Sequence, residues 1–102
     1  MEEKARIVKR KIHQLSSKLE FITPEKALSW LSNNPNNRPI NEKLVNELCQ
    51  KIRSKKWTEK GGAIEVFYTG RLINGQHRLT AIVRTGIPVK IKVRTFTSSI
   101  KI

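Results

Sequence analysis

The segment Gly70-Arg71-Leu72-Ile73-Asn74-Gly75-Gln76-His77-Arg78-Leu79 changes structural period part-way along. Arg71-Leu72-Ile73 reads as a short strand, and Asn74-Gly75 breaks it. Leu79, Ile82 and Val83 then recur at helical spacing over residues 76 to 85, with Gly86 as the stop. A strand that turns on glycine into a helix start is a place for an anion. Unpaired N–H groups and the positive end of the helix dipole converge there, and a glycine lets the backbone come close. Arg78 adds a bidentate fork suited to phosphate, and His77 can donate a hydrogen bond or move a proton near neutral pH. His77 reads equally well as a polar bridge between helix and loop.

Working outward, Ala63-Ile64-Glu65-Val66-Phe67-Tyr68 is rich in strand formers, and Thr69-Gly70 is a tight turn into the quoted segment. Downstream, Val89, Ile91 and Val93 alternate with Lys90, Lys92 and Arg94, which predicts a strand to about Phe96 with one apolar and one cationic face. That cationic row is a phosphate track or a solvated outer face.

Upstream, Thr23 caps a helix that has Pro24 at its first position and Glu25 at the positive end of the dipole; Ala27, Leu28 and Leu31 are its expected buried face. Asn33-Asn34-Pro35 ends it. Asn41 caps the next helix, in which Leu44, Val45, Leu48, Cys49 and Ile52 keep a helical period, so Cys49 reads as core. The connection between these helices holds two prolines and is too long for a helix-turn-helix. At the N-terminus Val8, Ile12, Leu15 and Leu19 form a stripe, predicting a basic amphipathic helix over residues 1–20 that carries Lys4, Arg6, Lys9, Arg10, Lys11 and Lys18. The expected organisation is that helix followed by a domain over residues 21–102, of mixed α/β class with a small sheet and several helices.

Twenty-one Lys and Arg against 8 acidic residues leave a formal net charge of +13 in 102 residues. Self-repulsion of that size points to an anionic partner, nucleic acid or a phosphorylated ligand. All the acidic residues are Glu, which removes Asp-based magnesium clusters and Asp-containing triads from consideration. One cysteine allows neither an internal disulfide nor a multi-cysteine zinc site. No apolar run has the length of a membrane span or the character of a secretion signal, so an intracellular, cytoplasmic protein with no membrane partner is expected.

Residues 22 to 94 resemble the ParB/sulfiredoxin-like superfamily, in particular the small ParB-like proteins of phages, plasmids and mobile elements. The matching features are Ile22-Thr23-Pro24-Glu25-Lys26-Ala27 with Trp30-Leu31, Asn37-Arg38-Pro39-Ile40, Trp57, the whole of Gly70 to Leu79, and Ala81-Ile82-Val83 followed by Gly86-Ile87-Pro88-Val89. The resemblance implies a compact α/β domain whose Gly75-Gln76-His77-Arg78 turn, together with Arg38, binds nucleotide or backbone phosphates. A nucleoside triphosphate with Mg2+ is the cofactor it suggests. Two departures matter. Asn74 stands where many relatives have Asp, and Gln76 replaces the cysteine nucleophile of sulfiredoxin, which argues against sulfinic-acid reduction.

The first functional reading is a nucleic-acid-binding module, DNA before RNA, that holds a phosphate at the turn and uses the N-terminal cations with Lys90, Lys92 and Arg94. The second is a nuclease or nucleoside-triphosphate hydrolase in which His77 is the acid/base and Arg78 stabilises phosphoryl charge, with a metal ligand found in Glu65 or with no metal at all. An adaptor or inhibitor of a host protein is a third. A homodimer is compatible with all of them.

Overall fold

One face of strand β4 (Val89–Ser99) is core, since Val89, Ile91 and Val93 are all but inaccessible. The computed structural model describes residues 11–34, 38–57 and 62–99, and β4 is an inner strand of its four-stranded sheet. β1 (Lys11–Ile22) pairs antiparallel along one side of β4. β2 (Ala63–Phe67) pairs parallel along the other, and β3 (Leu72–Asn74) pairs antiparallel with β2 at the far edge. A parallel pair needs a crossover, which β3 and helix α3 (Gln76–Thr85) supply between β2 and β4. Helices α1 (Pro24–Leu31), α2 (Glu42–Arg53) and α3 share one core with the sheet: Ala27, Trp30, Val45, Cys49, Leu79 and Ile82 meet Ile22, Ile64, Val66, Leu72 and Ile91. The expected mixed α/β class is thus what the chain adopts. Among the described residues no helix is long and apolar enough to cross a membrane.

Local chemistry accounts for the helix ends. Thr23 Oγ1 accepts from the Lys26 N–H at 3.1 Å, with Pro24 in the first turn, and Asn41 Oδ1 accepts from the Leu44 N–H at 3.1 Å. Gly86 closes α3, its N–H donating to Ile82 O at 2.9 Å. Cys49 is buried on α2 beside the Ala81 carbonyl of α3, as a core residue should be. The buried face of α1 departs from expectation: Ala27 and Trp30 point inward, while Leu28 is 55% exposed.

The N-terminal helix is the larger correction. Residues 11–22 are strand, not helix, and the boundary expected at residue 20 falls inside β1. Of the helical stripe, Leu15 and Leu19 are 57% and 46% exposed, whereas Ile22 is completely buried. A ladder running from Lys11↔Ser99 to Ile22↔Val89 satisfies the backbone along the open side of β4 and outweighs a weak 3.6-residue pattern interrupted by Ser16-Ser17. The register shifts between Gln14 and Ser16, a bulge at Leu15. Val8, Lys4, Arg6, Lys9 and Arg10 lie outside the described residues.

Candidate functional site

The turn between β3 and α3 is built on Gly75. Its φ of 116° is left-handed, and a Cβ there would stand 2.5 Å from Ile64 Cδ1 and 3.3 Å from Ile64 Cα. The close approach expected at this glycine is therefore to strand β2 beneath it. Gly75 is also the N-cap of α3 and makes no side-chain cap hydrogen bond, so the first N–H groups of the helix receive no acceptor from the position where Ser, Thr or Asn would supply one.

Gln76, next in the chain, is 7% exposed and clamps the connection between α1 and α2. Its Oε1 accepts from Asn34 Nδ2 at 3.1 Å and its Nε2 donates to the Arg38 carbonyl at 2.6 Å. The Leu72 N–H adds a third tie, to Asn33 O at 2.9 Å. These bonds bring the Arg38 backbone to the turn, and they engage both ends of the Gln76 amide in the scaffold.

His77 Nε2 accepts from the Asn41 N–H at 3.0 Å, which ties the start of α3 to the capping residue of α2. That nitrogen's lone pair is used, and Nδ1 is left as the donor. Arg78 lies with its guanidinium against Gly62, where a Cβ would fall on it; Gly62, with φ 127°, clears its place. Arg38, Asn74, Gly75, Gln76, His77 and Arg78 line one cleft of ≈ 120 Å³, with Leu44 and Leu48 of α2 as its apolar wall. A wider depression of ≈ 640 Å³ continues from Arg38 and Asn74 to Ile73 and Glu65.

Among the described residues, the other cations expected to meet nucleic acid do not line this cleft. Lys90, Lys92 and Arg94 project from β4 on the face opposite the helices, where Arg94 Nη1 meets Glu65 Oε2 of β2 at 3.3 Å and Lys90 Nζ stands 5.6 Å from the centre of the Phe21 ring. Lys18 is exposed on β1 and Lys11 begins that strand. Glu65, the carboxylate that the enzyme reading would have to offer a metal, is thus paired with a cation. Among the described residues no three His, Cys, Asp or Glu side chains gather into a group that could hold a metal.

Sequence reasoning missed Asn34, Leu44, Leu48 and Ile64 as parts of this site. Asn34 and Gln76 are 42 residues apart, and no local pattern announces such a pairing. Comparisons of the chain with protein-family models, curated proteins and solved structures give no match.

Proposed function

We propose that the protein is a nucleic-acid-binding module of the ParB/sulfiredoxin-like kind, and that the start of α3 holds a backbone or nucleotide phosphate. The observation that carries this reading is the meeting of Arg38 with the uncapped Gly75 turn and Arg78 in one cleft. A phosphate oxygen would take the place of the missing cap, in a cleft that Arg38 and Arg78 line and that has an apolar wall from Leu44 and Leu48. His77 would contribute a hydrogen bond through Nδ1 and hold the two helix starts together through Nε2. That engagement favours binding over acid/base work. A nucleotide would bring its magnesium on its own phosphates, since Glu65, the carboxylate opposite Asn74 in the β2–β3 pairing, is bound to Arg94.

The test is calorimetric titration with pyrophosphate, nucleoside triphosphates with and without magnesium, and short oligonucleotides. Arg38→Ala removes a charge-assisted contact at the rim of the fold and should weaken phosphate binding by about 10- to 100-fold. Gln76→Ala keeps every charge but releases Arg38, and should weaken it as well. Undiminished affinity in both folded variants refutes the assignment of the site, and metal-dependent turnover lost in His77→Ala would establish the enzyme reading in its place.

A further inference from the structure

We propose that the outer face of the sheet binds single-stranded nucleic acid, stacking bases on Phe21 and on the paired rings of Phe67 and Phe96 while Lys90, Lys92 and Arg71 take phosphates. This deepens the reading of the chain as a nucleic-acid-binding module and uses a surface separate from the α3 turn.

The register sets these groups on one face. Phe21 pairs with Lys90 and Leu19 with Lys92 across β1–β4, and Glu65 pairs with Arg94 and Phe67 with Phe96 across β2–β4. Phe21 is 68% exposed and Leu19 46%, while the alternate residues Ile64, Val66, Ile91 and Val93 are buried under the helices. A cation already sits over the ring at each end of the row: Lys90 Nζ is 5.6 Å from the Phe21 ring centre and Arg71 Cζ is 4.5 Å from that of Phe67. The span from Lys90 to Phe96 along β4 is about 20 Å. Beyond Phe21 and Lys90 the surface continues into a groove of ≈ 340 Å³ lined also by Lys55, Trp57, Ile87 and Pro88.

The chemistry selects the occupant. The exposed ring of Phe21 and the half-buried rings of Phe67 and Phe96, with cations between them on one sheet face, fit a polyanion that also offers flat apolar faces, and a chain of net charge +13 favours such a partner. Unpaired bases offer their faces, whereas a duplex hides them within its stack and would meet only the cations. On binding, a base replaces the cation over the ring, and the displaced ammonium or guanidinium turns to the adjacent phosphate. A second copy of this face would set Lys90, Lys92 and Arg94 against cations of their own kind.

The experiment is fluorescence anisotropy with the full chain and labelled oligo(dT), oligo(U) and duplex DNA of about 12 nucleotides or base pairs. Phe21→Ala, at a largely exposed position, should weaken single-strand binding by roughly 5- to 150-fold and duplex binding by less than about 2-fold, and Phe21→Trp should keep the affinity. Lys92→Gln should flatten the salt slope by about 0.7. Binding of either single strand that Phe21→Ala weakens more than it weakens duplex binding supports the proposal. Unchanged affinity in Phe21→Ala overturns it, as does an equal loss on duplex and single strand. A self-associating chain that Phe21→Ala renders monomeric, with no oligonucleotide bound, would make the face a subunit interface and also overturn it. Loss with Arg38→Ala but not with Phe21→Ala leaves the turn site standing and removes this one, and the converse result does the opposite.

Discussion

Gly75 is where one residue decides most. Its left-handed backbone and its contact with Ile64 work against any side chain together, so Gly75→Ala should cost about 1–3 kcal/mol in denaturant melts. Ile64→Val deletes the Cδ1 atom in the way. In the double variant the loss should therefore be smaller than the sum of the two single losses, with the backbone share remaining. Additive losses would mean that the contact contributes nothing. Gln76 shows how a residue read as a ligand can serve the scaffold: hydrogen bonds at both ends of its amide hold residues 34 and 38 at the mouth of the cleft.

At the scale of the element, β1 is the segment whose identity changed, and the change alters what truncation should do. Deleting residues 1–20 strips most of the ladder from β4 and exposes its edge, so the shortened chain should melt earlier and associate in size-exclusion chromatography. A truncated chain as stable and monomeric as the whole would contradict the importance given to that pairing. Helices α2 and α3 are also joined at their surface, where Arg84 Nη1 and Nη2 donate to the Glu42 carboxylate at 2.6 and 3.0 Å. The Glu42 carboxyl is held below its ordinary range, chiefly by that hydrogen bond and less by the charge of Arg84, with desolvation opposing. A carboxyl whose folded value is depressed contributes stability that is complete above its unfolded value and is lost as pH falls through the folded one. Urea midpoints of wild type and Glu42→Gln should therefore differ at about pH 7, and the gap should close as pH falls through the depressed value of the folded carboxyl. The difference should be small because the pair is exposed. A gap that persists unchanged in acid would assign the effect to something other than this ionisation.

For the whole molecule, a net charge of +13 gives salt opposite effects on the free and the bound protein. Screening relieves self-repulsion, so the free chain should melt at higher temperature as salt rises from about 20 to about 200 mM, by roughly 4–8 °C for each kcal/mol recovered. Over the same range oligonucleotide affinity should fall linearly on a log–log plot, with a slope near −2 if three cations meet phosphates of a single strand. Thermal scans and anisotropy titrations on one salt series measure both. A melting point that falls with salt would show that attractive pairs outweigh the repulsion.

Local chemistry was legible without coordinates. Thr23-Pro24-Glu25 and Asn41 announce helix starts because their own side chains make the capping bonds, Val89-Ile91-Val93 announces a half-buried strand because pleating repeats every two residues, and Asn74-Gly75-Gln76 announces a strand turning into a helix. The class of the fold and the place of the turn follow from these. Tertiary structure decided the rest, for reasons of distance along the chain. Residues 11–22 became strand because β4 had a side to be paired, which their own pattern does not record. Arg38 reaches the turn through Gln76, 38 residues away, and Arg94 finds Glu65 across 29. Phe67 comes to lie beside Phe96 only through the register of a parallel pair. Composition carries the sum of the charges and the kinds of rings, but which of them share a face depends on strand order and register, and those are set by burying Ile64, Val66, Ile91 and Val93 together under the helices.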